Sequence, residues 1–175
     1  MSAVQIQGNA SGTGTLTIAA PNTNSNQTLT LPDLTATLAV NGPAFSAYST
    51  SSQTGITNAT FTKVLFDSEN FDTNNNFASS RFTPTVAGYY QINSILDIGS
   101  VAITAAIVRI YKNGSNAVYG GGVNGASLSE FYAAANGLVY CNGTTDYIEI
   151  YVYVTSTSNI VYGTSTFSGF LARSA

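Results

Sequence analysis

The side chains that could carry catalytic or metal chemistry are few in this sequence. It contains no histidine, a single cysteine, Cys141, and eight carboxylates. Without histidine, Ser-His-Asp and Cys-His arrangements and imidazole metal ligands are excluded, and one cysteine cannot form a thiolate zinc cluster. Two of the carboxylates could still act as a glycosidase pair, but they fall at ordinary strand ends. We therefore predict no catalytic residue, no cofactor and no enzymatic activity, with polysaccharide hydrolysis as a distant alternative.

Three carboxylates lie close together along the chain, at Asp67, Glu69 and Asp72. Carboxylates and loop carbonyls are the ligands that calcium prefers, so this segment could hold a hard cation. Their spacing does not match an EF-hand, and solvated loop acids are the interpretation that we favour. We predict no metal site, and cation binding by these three residues stays open at the level of the sequence.

Two other local patterns could mark binding sites. The glycine-rich residues 120–125 are followed by neither a Lys-Ser/Thr pair nor a helix, so they indicate a hairpin connection and not a phosphate loop. Aromatic and amide side chains near predicted loops could stack on sugars, but packing in the core or in an interface is the interpretation that we favour for each, and we assign none of them as a site. These side chains are Tyr119, Asn124, Phe131, Tyr132 and Tyr162.

Charge is sparse, which excludes several partners. Charged residues make up 7% of the sequence, the net charge is −3, and the five basic residues are scattered without a cluster. A phosphate backbone needs a concentrated basic patch, so we expect no nucleic-acid binding. No stretch approaches the roughly 18 apolar residues needed to cross a bilayer, so we expect no membrane insertion. The N-terminus lacks the basic and apolar regions of a signal peptide.

The apolar residues follow the period of β-strands throughout. Gly and Asn interrupt almost every helical window, and β-branched and aromatic residues dominate the apolar runs. Asn-Gly pairs at 113, 124 and 142 predict turns between strands. The predicted strands are 44–49, 61–66, 80–83, 88–97, 102–112, 117–121, 127–134, 137–140, 147–154 and 166–173. This pattern predicts an all-β protein built as a two-sheet sandwich or jelly roll.

Residues 1–43 have a different pattern from the rest. Short pieces that alternate Thr with Leu or Ile are separated by breaks at Pro21 and Pro32. Each piece has one narrow apolar face, which is too little to be stable without a partner. We therefore divide the chain into a β-rich N-terminal attachment or stalk segment, residues 1–43, and a head, residues 44–175.

The predicted strand 147–154 has two apolar faces. Isoleucines and valines occupy one face, which we assign to the core, and Tyr147, Tyr151 and Tyr153 share the other face with Glu149. Tyrosine is enriched at protein interfaces because it combines a large area with a polar tip. We predict that the three tyrosines form a subunit interface, with cover by a loop of the same subunit as the alternative.

The head resembles the C1q family. The family signature is matched in order by Phe66, Asp72, Phe77, Phe82, Gly88 and Tyr90. The gap from Phe77 to Phe82 is two residues shorter than in the family, and Ile92 stands where Phe is usual. Residues 108–114, 142–150 and 167–171 resemble later parts of the same family. The resemblance covers about residues 44–175 and implies a jelly roll of the C1q and tumour-necrosis-factor (TNF) type, which assembles as a homotrimer.

The N-terminal segment resembles a module that recurs in bacteriophage tail-fibre and other virion proteins. The resemblance rests on residues 12–21, 28–33 and 37–38. Together the two halves imply a virion surface protein, made in the host cytoplasm, that docks on other virion proteins through residues 1–43. We predict a fibre-like protein whose head attaches to a glycan or protein of the host surface. The alternative is a capsid decoration protein that stabilises the shell.

Overall fold

The computed structural model describes Ser11, Thr13, Asn24 and residues 42–156 and 158–175. Across these residues the chain forms eleven β-strands and no helix, and therefore no helix that is long and apolar enough to span a membrane. The strands are β1 Ala44–Tyr48, β2 Gln53–Thr54, β3 Thr62–Lys63, β4 Ser68–Asp72, β5 Phe77–Ala78, β6 Arg81–Phe82, β7 Gly88–Lys112, β8 Ser115–Cys141, β9 Ile148–Thr155, β10 Ile160–Val161 and β11 Thr166–Ser174. The predicted all-β class is confirmed.

The strands form two layers that share the long β7–β8 hairpin. The first layer runs in the order β4, β1, β11, the first half of β7 and the second half of β8. The second layer contains the second half of β7, which pairs with β9 on one side and with the first half of β8 on the other. β3 and β6 continue this layer beyond β9. All of these pairings are antiparallel.

Two compensating bulges carry the hairpin from one layer into the other. Between Gly99 and Ile103, three residues of β7 face one residue of β8, and between Asn124 and Leu128 three residues of β8 face one residue of β7. Bulges bend a strand and raise its twist, and strands that change sheets at a corner use them for this purpose. The separate strands predicted at 88–97 and 102–112 are therefore one bent strand, β7.

The three predicted Asn-Gly turns have different outcomes. The pair at Asn113 and Gly114 forms the β7–β8 turn with both φ angles positive, at 52° and 76°, and the pair at 142 ends β8. The prediction of a turn at Asn124 is wrong, as is that of a hairpin connection over residues 120–125, because both lie inside β8. Gly125 has a φ of 78°, so its left-handed backbone serves the bulge instead of a turn.

The core lies between the two layers. Ile148, Ile150, Val152 and Val154 are fully buried, as the alternation along β9 predicts. Phe45 of the first layer stacks on Phe82 of the second layer, with 4.3 Å between ring centroids. Each such buried side chain stabilises the fold by about 1.5–3 kcal/mol, so the contact between the layers is the main apolar contribution to folding.

At the N-terminal end of the head, Pro43 is tied to the first layer. The Leu171 amide donates a hydrogen bond of 2.9 Å to the Pro43 carbonyl, and a Cβ at Gly42 would lie 2.4 Å from the Leu171 side chain. The short pieces predicted before residue 42 lie outside the described residues, apart from Ser11, Thr13 and Asn24, so the division at residue 43 stays a prediction.

The β5–β6 hairpin provides a test of backbone strain. Its two turn residues, Ser79 and Ser80, have φ angles of 52° and 57°, which cost L residues about 1–2 kcal/mol each. The Ser80 hydroxyl donates to and accepts from the Phe66 backbone, whereas Ser79 contributes only its carbonyl, which accepts from Lys63.

We therefore expect Ser79→Asn to stabilise the protein by about 0.5–1 kcal/mol, because asparagine tolerates the first position of this turn type. Thermal unfolding at fixed protein concentration measures the change. Ser79→Val, whose branched side chain disfavours positive φ, should lower the melting temperature. A lower melting temperature for the asparagine variant would contradict the assignment of strain to Ser79.

Candidate functional site

The three carboxylates at 67–72 do not converge on one point. They lie along β4 and its approach, and each end of the segment is satisfied locally. Asp67 accepts from the Thr50 amide at 2.7 Å and from its hydroxyl at 2.8 Å, and Asp72 accepts from the Phe77 amide at 2.7 Å. The hydrogen bonds from Thr50 hold the pKa of Asp67 below its usual range. Within the described part of the chain, no group of three or more His, Cys, Asp or Glu side chains is placed to hold a metal.

This segment also corrects the predicted secondary structure. Residues 68–72 form an edge strand paired with β1 and not a loop. Short edge strands with charged side chains are common because the charges oppose pairing with other chains. The carboxylates of this segment therefore fit a structural role at the edge of the first layer.

The three tyrosines predicted at a subunit interface have partners within their own chain. The Arg81 guanidinium lies 3.8 Å from the centre of the Tyr147 ring. Tyr151 stacks on Tyr111 with 4.1 Å between ring centroids, and Tyr153 packs against Phe61 at 5.3 Å. All three remain partly exposed. The three tyrosines are therefore partly covered by residues of their own subunit, which was the alternative considered from the sequence. Their contact with a second subunit stays a prediction.

A buried ion cluster lies between these tyrosines. The Glu149 side chain is 3% exposed and accepts from the Lys63 ammonium at 2.7 Å and from Arg81 at 2.9 Å. Burial disfavours ionisation of Glu149, but the hydrogen bonds and positive charges of Lys63 and Arg81 outweigh it and hold the pKa of this carboxyl below its usual range. The cluster joins β3, β6 and β9, so it positions these strands relative to one another.

The outer face of the first layer exposes large apolar side chains. Tyr89, Leu138, Tyr140 and Phe170 are 47%, 60%, 41% and 49% exposed. They lie on the adjacent strands β7, β8 and β11, where Tyr89 pairs with Tyr140 and one residue, Gln91, pairs with both Leu138 and Phe170. Cross-strand neighbours on one face are close enough to form a continuous surface. We call this surface the apolar face.

A groove crosses the same outer face from β4 to β7. It is lined by Ser46, Phe71, Asn93 and Ser168 and by Phe170, which also belongs to the apolar face, and its volume is about 350 Å³. Sequence reasoning missed both this groove and the apolar face. The apolar face could have been predicted from residues 138–141, because apolar residues on both faces of this strand leave Leu138 and Tyr140 exposed when Val139 and Cys141 are buried.

The outer face of the second layer is aromatic and charged. Arg109 on β7 lies between two rings, with its guanidinium carbon 4.3 Å from the centre of Phe61 and 4.6 Å from that of Tyr119. Tyr119 is 74% exposed. The five side chains considered for sugar stacking do not form one surface, because Tyr119 belongs to this face whereas Tyr132 pairs with Asp97 in the first layer.

The ion cluster predicts a dependence of stability on both residue 149 and pH. We expect Glu149→Gln to lower the free energy of unfolding at pH 7 by about 2 kcal/mol, since it leaves two cations without their buried partner, although both are partly solvated. Because the folded pKa of Glu149 is lowered, its contribution is present above the ordinary glutamate pKa of about 4.3 and is lost as the pH falls through the folded value.

Chemical denaturation from pH 7 to pH 3 measures this effect. The difference between the wild type and Glu149→Gln should shrink as the pH falls below about 4. Glu69→Gln, at an exposed position of β4, is the matched control and should change stability little at any pH. Equal stability of the two variants at pH 7 would show that the cluster contributes nothing.

No protein-family profile matches this sequence, and no curated protein matches it at the level of sequence. The fold is nevertheless similar to solved structures. The globular domain of the zebrafish complement 1qA protein is 16% identical, with a TM-score of 0.53, and the match covers 77% of this chain and 99% of that one. Murine APRIL at pH 5.0 is 9% identical, with a TM-score of 0.54, and the match covers 74% of this chain and 98% of that one. This chain therefore has the C1q/TNF-like jelly-roll fold that the signature residues predict.

Proposed function

We propose that this protein is a non-enzymatic, homotrimeric surface protein of a bacteriophage virion, fibre-like in role, whose head attaches to the host surface. The observation that carries the proposal is the apolar face, because a lone soluble subunit rarely exposes a contiguous apolar surface of this kind. With charged residues at 7% of the sequence, few charges are available to keep such a surface soluble. If the apolar face is buried against further copies of the chain, it is no longer exposed to water.

The arrangement of the apolar face favours a closed ring. β8 is one edge strand of the first layer and carries the ridge of Leu138 and Tyr140, whereas the groove extends over β7, β11 and β1 to Phe71 on β4, the opposite edge strand. A ridge on one copy that enters the groove of the next makes a head-to-tail contact, and such contacts close into rings when the rotation allows. The number three comes from the resemblance to the C1q and TNF type.

The virion role is supported by the N-terminal segment. Residues 12–38 resemble a module of phage fibre proteins, and their narrow apolar stripes need a partner to be stable. A capsid decoration protein is the second candidate, because an attachment segment joined to a trimeric head would also suit docking on a shell. Four of the described carboxylates support a non-enzymatic role, since Asp146 and Glu149 are paired with basic side chains and Asp67 and Asp72 accept backbone hydrogen bonds.

The oligomeric state tests the apolar face. We expect the protein to sediment as a trimer at micromolar concentration, with a mass of three 18.2 kDa chains, and we expect Leu138→Asp to dissociate it, because a carboxylate in a buried interface costs several kcal/mol. Leu65→Asp, at a residue that is 52% exposed outside this face, is the control and should leave the trimer intact.

A third variant separates the two predicted interfaces. Tyr151→Ser should preserve the trimer if the apolar face forms it. A trimer that survives Leu138→Asp but dissociates on Tyr151→Ser would favour the tyrosine interface on β9 instead, and a stable wild-type monomer would exclude both.

Removal of the N-terminal segment tests the virion role. Residues 42–175 keep the hydrogen bond between Leu171 and Pro43, so we expect this fragment to fold and to form trimers but to be absent from particles. Sedimentation, thermal unfolding and incorporation during infection measure these properties. An unfolded fragment would show that the segment belongs to the core of the head, and a folded fragment that still joins particles would show that the head carries the docking surface.

A further inference from the structure

The guanidinium of Arg109 is held in an aromatic sandwich on the outer face of the second layer. Phe61 covers one side of it at 4.3 Å and Tyr119 covers another at 4.6 Å. Arg109 lies between Tyr119 and Tyr151 in the sheet, because it pairs with both across neighbouring strands. The rings and the sheet fix the plane of the guanidinium, so its position is set before any ligand arrives.

The positive charge of Arg109 has no partner among the described residues. Lys63 and Arg81 are paired with Glu149, and Lys112 with Asp146. Arg109 forms no such pair, and its Nε atom is buried without a hydrogen-bond acceptor among these residues. Partial desolvation of an uncompensated positive charge is unfavourable. An anion at the accessible part of this partly buried residue would therefore be stabilised.

The geometry selects the kind of anion. A guanidinium donates in its own plane, in a fork that matches a carboxylate, while its faces stack on rings. The rings take the faces of the group and its Nε is buried, whereas the residue as a whole is only partly buried. A ligand would therefore approach the two terminal nitrogens. Tyr119, with 74% of its area exposed, presents a ring beside the guanidinium, and exposed aromatic rings offer an apolar body with a polar tip to a ligand.

We propose that Arg109 and Tyr119 form a binding site for a carboxylate-bearing saccharide, in which the acid group pairs with Arg109 and the sugar ring packs on Tyr119. A neutral sugar would leave the arginine unpaired, and a nucleic acid would need more than one free cation here. The inference rests on the proposed attachment role. The site lies on the opposite layer from the apolar face, so it stays open when that face is buried.

Titration calorimetry of the full chain with trigalacturonate tests the proposal, with its methyl ester as the uncharged counterpart and inorganic phosphate as a simple anion. We expect trigalacturonate to bind more tightly than either probe. Arg109→Met should weaken its binding by about tenfold or more, and Tyr119→Ala, at an exposed ring, by about fivefold. Arg173→Met, at an exposed arginine that pairs with Tyr89 of the apolar face, is the matched control for the loss of one positive charge and should bind as the wild type does.

Three results would overturn the site. They are no detectable binding of trigalacturonate at about 20 mM, equal affinity for the acid and its ester, and an equal loss of affinity in Arg109→Met and Arg173→Met. Thermal unfolding of each variant shows whether it is folded. If Arg109→Met does not fold, Tyr119→Ala still tests the site. Sedimentation of the same samples separates the two proposals. If the protein is a trimer but does not bind trigalacturonate, only the proposed binding site is wrong. If it binds trigalacturonate as a monomer, only the proposed trimer is wrong.

Discussion

The structure depends on one pair of strands that belongs to both of its layers. The hairpin of β7 and β8 pairs with β11 in the first layer and with β9 in the second, and its bulges near Gly99 and Gly125 set the point of crossing. Because side chains alternate with a period of two, a slip of one residue in this hairpin would turn the core side chains of both layers outward. The register of the hairpin therefore determines the core and both outer faces together.

The two outer faces have different chemistry as a result. On the first layer, the register places Leu138, Tyr140 and Phe170 outward, beside few charges. On the second layer, it places Arg109 outward next to Tyr119 and the paired cluster around Glu149. An apolar face suits permanent contact with identical chains, and a face with an unpaired cation and exposed rings suits reversible contact with a ligand. In the proposed function, the first layer forms the contacts between subunits and the second layer binds the ligand.

The sequence predicts the core of this fold better than its surfaces. The alternation along β9 identifies its buried apolar residues because isoleucine and valine occupy one face without exception, whereas the burial of Glu149 on the other face depends on Lys63 and Arg81. Along the first half of β7, both faces carry apolar residues, such as Tyr89 beside Tyr90 and Ile95 beside Leu96, so periodicity alone cannot separate core from exposed surface there. The Asn-Gly pair at 124 was misassigned because left-handed backbone is required by bulges as well as by turns. In the sandwich of Phe61, Arg109 and Tyr119, the last two face each other across the β7–β8 hairpin, but Phe61 is distant from them in the chain, so only the folded structure reveals the complete arrangement.

The claim that the two outer faces have opposite roles can be tested in the assembled protein by hydroxyl-radical footprinting, with labelling of individual side chains read by mass spectrometry. Leu138 and Tyr119 are 60% and 74% exposed in a single subunit, so they should react at comparable rates, relative to their intrinsic reactivities, if no assembly occurs. Our account predicts that Leu138, Tyr140 and Phe170 are protected at micromolar concentration while Tyr119 remains reactive. Strong labelling of Leu138 together with protection of Tyr119 would contradict it.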